Sequence, residues 1–210
     1  MSRPARRTRT VAVFVFDEVE VLDLGGPFEV FWTAARVARR IEPDRPPPFD
    51  VRTVAATRLP VRARGGLVVT PSDDFASCPD VDVLVVPGGV VTAELAKPDT
   101  IAWIAERSRA TEVTAAVCTG AFLLGAAGLL DRRRATTHWE DVADLRAAFP
   151  NTEVVDDLRW VDEGAIQTSA GISAGIDSSL HLVARLESVD LARATARQME
   201  YDWNEDPRAR

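Results

Sequence analysis

Short apolar runs, each followed by a longer segment of helical periodicity, fix the class of fold open to this chain. Residues 11–16 and 83–86 are apolar throughout. A strand with one wet face alternates polar and apolar side chains, whereas a strand covered on both faces reads as one continuous run. Further strands are predicted at 49–55, 67–70, 112–117 and 135–137, and a hairpin at 158–161 and 166–169 turns through Asp162-Glu163-Gly164. Helices are predicted at 27–39, with Phe28, Phe31, Trp32 and Ala35 on one face, and at 100–109, 121–130, 140–149, 174–186 and 190–201. The alternation predicts an α/β fold whose mainly parallel sheet carries helices on both faces. With 210 residues and no internal repeat, one domain over 11–201 is expected. A disordered basic tail over 1–10 and a C-terminal tail over 202–210 would flank it.

Charge narrows the partners. A net charge of −7 repels phosphate backbones, so no direct nucleic-acid binding is expected. The cluster Arg3, Arg6, Arg7 and Arg9 reads as part of the solvated tail. No secretory pattern opens the chain and no apolar stretch approaches membrane-spanning length, so a cytoplasmic protein that does not enter a membrane is expected. Its two cysteines, Cys78 and Cys118, are then reduced thiols. Cys78, between Ser77 and Pro79, reads as a structural residue.

Cys118 stands in a different setting, Ala116-Val117-Cys118-Thr119-Gly120. A buried strand ends there and a helix begins at once, with small residues two before and two after. That is the logic of a nucleophile elbow, a turn too tight for larger flanking side chains. The start of the following helix would favour thiolate, and the Thr119 N–H would face a developing anion. Pro87-Gly88-Gly89 follows another buried strand, which makes Gly89 a candidate second oxyanion donor. His138 follows a predicted strand and falls at the same sheet edge. His181 lies between leucines of a helix and reads as a packed or surface residue. Asp23, between Leu22 and Leu24, is a candidate proton donor whose pKa an apolar setting would raise. Residue patterns do not separate it from Glu18, Glu20 or Glu29.

Four segments carry a resemblance to the DJ-1/PfpI superfamily. They are Val-Pro-Gly-Gly at 86–89, Val-Cys-Thr-Gly-Ala-Phe-Leu-Leu-Gly-Ala-Ala-Gly-Leu-Leu at 117–130, Arg-Ala-Thr-Thr-His-Trp at 134–139 and Thr-Ser-Ala-Gly-Ile-Ser-Ala-Gly-Ile-Asp at 168–177. Within it the chain looks most like isocyanide hydratases and the sensor-like domains of AraC-type regulators. The resemblance implies a flavodoxin-like, doubly wound three-layer sandwich, related to class I glutamine amidotransferases and usually a homodimer. It implies Cys118 as nucleophile and, through Leu22-Asp23-Leu24-Gly25-Gly26-Pro27, Asp23 as its acid partner. It places Gly88, Val90, His138, Ala170, Gly171 and Ile172 around the pocket.

Thr119 stands where the peptidase-like branch has histidine, which disfavours a Cys-His dyad. The implied activity is addition of water to a small electrophile, an isocyanide going to an N-substituted formamide, without metal or organic cofactor. A ligand- or redox-sensing module and a glyoxalase-like stress protein are the alternatives. Two departures from the hydratase pattern stand out. Val90-Val91-Thr92 replaces a more glycine-rich loop, and a C-terminal extension is missing.

Overall fold

The computed structural model describes residues 7–208. Its elements run β1 (Arg9–Phe14), α1 (Val21–Ile41), β2 (Phe49–Ala55), β3 (Val61–Arg62), β4 (Val68–Val69), β5 (Asp73–Asp74), β6 (Val83–Val86), α2 (Thr92–Leu95), α3 (Pro98–Ser108), β7 (Val113–Val117) and α4 (Gly120–Ala126). They continue with β8 (Arg134–Ala135), α5 (Val142–Ala148), β9 (Glu153–Val154), β10 (Trp160–Asp162), β11 (Ile166–Ser169), α6 (Ala174–Leu186) and α7 (Val189–Gln198). The main sheet has the order β10-β11-β7-β6-β1-β2-β5, and every pair is parallel except β10 with β11. Counting only the long parallel strands β1, β2, β6, β7 and β11, the order is 2-1-3-4-5, the flavodoxin-like arrangement. Helices α1, α6 and α7 pack together, while α2, α3 and α4 form a separate group. Layers on both faces explain why residues 11–14 of β1 and all of β6 carry uninterrupted apolar sequence: Val11, Val13, Val83 and Val85 are buried, as are Val113 and Ala116 of β7.

Several boundaries differ from those read in the sequence, and each difference has a cause. β1 starts at Arg9, inside the expected tail. Arg7 pairs with Asp82 at 2.6 Å, and Arg9 pairs with Glu112 at 3.1 Å and with Glu187 at 2.9 Å. Ion pairs hold these two side chains, so the solvated-tail reading is corrected there. Residues 1–6, with Arg3 and Arg6, lie outside the described residues.

The C-terminal segment to Arg208 is docked and is not a free tail. Trp203 Nε1 donates to the Asp177 carbonyl at 3.3 Å, the Asn204 N–H donates to Asp177 Oδ1 at 3.0 Å, and the Arg159 N–H donates to Pro207 O at 2.7 Å. α1 begins six residues before the predicted start and carries Pro27 inside it. The cost of Pro27 is one lost donor, the N–H that would have met the Asp23 carbonyl. Packing against β1, β2, α6 and α7 carries the helix through. The strand predicted at 135–137 is a short pair, β8 with β9, outside the main sheet.

A candidate active site at the carboxyl ends of the central strands

Open α/β sheets bind ligands beyond the carboxyl ends of their strands, near the point where strand order reverses. Here that point lies between β1 and β6. Asp23 follows β1 in the first turn of α1, Gly88 follows β6, and Cys118 follows β7.

Cys118 has φ +56°, the left-handed region that L side chains avoid. Its neighbours over-determine that conformation. Its N–H donates to Ser169 O at 3.0 Å, and its carbonyl accepts from Thr137 Oγ1 at 2.8 Å and from the Ala121 N–H at 3.2 Å. A Cβ at Gly120 would lie 2.1 Å from Val86 O, so only glycine lets α4 start this close to β6. The elbow read in the sequence is therefore built as a strained turn under tertiary restraint.

The thiol's electrostatics differ from the expected thiolate. Cys118 is 7% exposed, and burial, reinforced by the neighbouring Asp23 carboxylate, pushes its pKa up to about 12. The Thr119 N–H acts in the opposite direction but does not prevail. α4 spans only Gly120–Ala126, and the charges that act on the sulfur, those of Asp23 and Asp141, are negative. A short helix therefore cannot activate this sulfur in a dry site.

Asp23 carries the complementary anomaly. It is 0% exposed, and burial, then the charge of Glu20, raises its pKa from 3.8 to about 7. Its Oδ2 accepts from the Gly88 N–H at 3.2 Å. Its Oδ1 has no hydrogen-bond partner among the described residues, although it is buried. A buried oxygen without a partner costs stability. The carboxyl group and the thiol interact directly, each altering the other's affinity for a proton. A buried acid and a buried thiol competing for one proton form a proton-transfer unit.

The candidate oxyanion donors divide. The Thr119 N–H acts on the Cys118 sulfur, as its place in the elbow suggests. Gly89 does not qualify as a donor, because its N–H donates to Thr119 Oγ1 at 2.9 Å. The same hydroxyl donates to Gly89 O at 2.8 Å. This exchange ties β6's trailing loop to the elbow and uses up the donor that sequence reasoning assigned to an oxyanion. The Gly88 N–H is likewise committed to Asp23.

The remaining candidates fall around this centre. His138 presents its Cδ2 edge to Gly171, where a Cβ would lie 2.5 Å from that carbon and 2.8 Å from Cys118 Sγ. Its Nδ1 is turned away, toward the Glu140 N–H at 3.4 Å and Asp141 Oδ2 at 3.5 Å. His138 thus contributes to the wall around the thiol, while His181 pairs with Asp162 on the surface at 2.8 Å. Ala170 donates its N–H to Arg159 O at 2.8 Å and leads into Gly171. Ile172 and Val90 are exposed, each one residue beyond a glycine of the site. The Val90 N–H donates to Glu18 O at 3.0 Å, which clips the 88–90 loop to the segment before α1.

Sequence reasoning missed Thr137, which holds the Cys118 carbonyl, and Asp141, whose charge also opposes thiolate formation. Thr137 lies in the strand that leads into His138, but nothing local marks its hydroxyl as the partner of a carbonyl 19 residues earlier, and Asp141 reads locally as an ordinary acid at a helix start. Among the described residues, no three His, Cys, Asp or Glu side chains are grouped to hold a metal ion, and no helix is long and apolar enough to cross a membrane.

Comparison with known proteins agrees with this fold. A model of the DJ-1/PfpI family matches residues 9–185. An isonitrile hydratase of Pseudomonas putida is 36% identical over 194 residues, covering 91% of this chain and 78% of that protein. The transcriptional regulator CdhR of Pseudomonas aeruginosa is 31% identical over 163 residues, covering 78% of this chain but only 47% of the regulator. A solved ThiJ/PfpI family protein from Pseudomonas syringae superposes with a TM-score of 0.81 at 30% identity, covering 96% of this chain and 78% of that one.

Proposed function

We propose, for a chain that belongs to the DJ-1/PfpI family, a cysteine-dependent addition of water to an isocyanide, with Cys118 as nucleophile and Asp23 as proton carrier. The observation that carries this reading is the pairing of a buried thiol with a buried carboxyl group that has an unpartnered oxygen. Isocyanide chemistry calls for that pairing. The terminal carbon of R–N≡C receives both the nucleophile and a proton, so the sulfur and the acid must converge on one atom. Acyl transfer and attack on a dicarbonyl build charge on oxygen instead, and the Gly89 N–H is not free to meet it. The 36% identity to an isonitrile hydratase supports the same reading.

The steps balance within these residues. Above about pH 7 the pair holds one proton, resident on sulfur. As sulfur approaches the carbon, the proton passes to Asp23 and the C–S bond forms. Asp23 returns the proton to that carbon, leaving a thioformimidate, R–N=CH–S–Cys118. Water then adds its hydroxyl to carbon and its proton to nitrogen. Collapse breaks the C–S bond, Asp23 relays the hydroxyl proton to sulfur, and R–NH–CHO departs. A small-molecule substrate, a homodimer and a cytoplasmic setting belong to the same reading.

A second reading, a ligand-sensing module, is supported by the match to a transcriptional regulator over 78% of this chain. One assay separates the two. The protein is incubated with an aryl isocyanide, and N-aryl formamide is followed by chromatography. Catalytic turnover is expected. Binding of the isocyanide without formamide would instead favour the sensor.

A further inference from the structure

A hollow of about 630 Å³ lies at the opposite end of the strands from Cys118, where β1 and β2 begin. Its floor is Ala35 of α1 and Phe49 of β2, both buried, and the Phe49 ring meets Phe31 edge-on at 5.0 Å between ring centres. Pro43 and Pro47 form one side, and their loop is pinned in place. Thr8 Oγ1 donates to Pro47 O at 2.7 Å, the Arg9 N–H donates to Pro48 O at 2.9 Å, and Arg45 pairs with Glu187. The hollow is therefore preformed, and its volume falls in the range of small-molecule sites.

The other side is the outer face of α1. Trp32, Arg36, Arg39 and Arg40 stand at the spacing of one helical stripe. Helical periodicity groups Trp32 with Phe28, Phe31 and Ala35, yet Trp32 is 52% exposed and borders the hollow. It leaves a large aromatic face in water beside an apolar floor. Among the described residues, Arg36, Arg39 and Arg40 pair with no acid. Arg39 and Arg40 lie in the last turn of α1, where they complement the helix dipole. Arg36, one turn earlier, gains little from that dipole. The acid that lines the hollow, Asp50, is engaged by Arg52 at 3.0 Å. Unpaired guanidinium groups around an apolar floor select an anion with a flat apolar body.

We propose that this hollow is a second ligand site, separate from Cys118, for a small aromatic carboxylate whose ring lies against Trp32 and whose charge meets Arg36, Arg39 and Arg40. The test uses 2-naphthoate and its neutral isostere naphthalene-2-carboxamide, each titrated into the full chain by calorimetry at low salt. The carboxylate saturates one site and binds about tenfold tighter than the carboxamide, the scale of one charge-assisted hydrogen bond. In Arg36→Gln/Arg39→Gln that preference disappears while carboxamide binding stays as it was. Trp32→Ala weakens both ligands by about fivefold or more, through lost stacking and lost apolar contact. Added salt weakens the carboxylate alone.

All the substituted side chains are exposed on α1 and their replacements suit a helix, so the fold is retained, which circular dichroism checks. Failure of 2-naphthoate to saturate at millimolar concentration overturns the proposal. So does a carboxamide that binds the wild type as tightly as the carboxylate, because the arginines then contribute nothing. Affinities within about twofold of wild type in both variants place the ligand elsewhere and overturn it as well.

Discussion

Cys118→Ala is expected to lower formamide production from an aryl isocyanide by roughly four orders of magnitude or more, the scale seen when a covalent nucleophile is removed from a cooperating set. Nothing else in the site can take its place. His138 directs Nδ1 away, Thr119 Oγ1 is engaged with both the N–H and the carbonyl of Gly89, and Thr137 Oγ1 is spent on the Cys118 carbonyl. The fold should survive, since alanine removes one sulfur from a site that stays packed, a change of about 1 kcal/mol. Cys118→Gly is the informative companion. It relieves the φ of +56° and should be as inactive as alanine while melting no lower. Circular dichroism melts beside the formamide assay separate lost chemistry from lost structure. Residual turnover above a few per cent in either variant would remove Cys118 from the mechanism.

Asp23→Asn is expected to act in opposite directions on activity and on stability. Asparagine fits the same volume and can still accept from the Gly88 N–H, but it cannot carry the proton. Loss of that transfer should reduce turnover by about 10²–10⁴-fold. Stability responds through linkage. Burial raises the folded-state pKa of Asp23 from 3.8 to about 7, so the folded protein holds this proton more tightly than the unfolded chain does. The stabilisation is fully present below about pH 4 and is lost as pH rises through about 7. At pH 8 the ionised carboxylate should therefore cost roughly 2–4 kcal/mol, which asparagine escapes. Denaturant midpoints should be closest at pH 4 and should separate as pH rises, with Asp23→Asn the more stable at pH 8. A wild type that remains the more stable form at pH 8 would contradict the buried-carboxyl account. Such a gain would mark Asp23 as a residue retained for chemistry at a cost to the fold.

The parts of this molecule legible in sequence are those set by local pattern. A continuous apolar run predicted β6, and small residues at 116 and 120 predicted the turn between β7 and α4. The start of α1 was not legible, because Gly25, Gly26 and Pro27 all disfavour a helix locally, while the contacts that sustain it come from β2, α6 and α7. The choice of Asp23 over its acidic neighbours needed the family resemblance. In physical terms it depends on Gly88, 65 residues away, and on complete burial. Gly89 was assigned to an oxyanion because a glycine after a buried strand offers an accessible N–H. What takes up that N–H is a hydroxyl 30 residues further on, which no spacing encodes. The sign of the Cys118 shift was missed for a related reason. The helix start is written in the sequence, but the dryness of the site and the facing carboxylate emerge only when three strand ends meet.

The shared proton is the claim on which the mechanism stands, and the pH dependence of kcat/KM for an aryl isocyanide tests it most directly. With two protons the pair cannot release a thiolate, and with one it can. The rate should therefore climb as Asp23 ionises near pH 7 and then stay level past pH 9, because the thiol loses its proton to solvent only near 12. In Asp23→Asn the rising limb should vanish and leave a low rate. A wild-type profile that is flat from pH 5.5 to 9, or one whose limb persists unchanged in Asp23→Asn, would contradict a proton shared between Cys118 and Asp23.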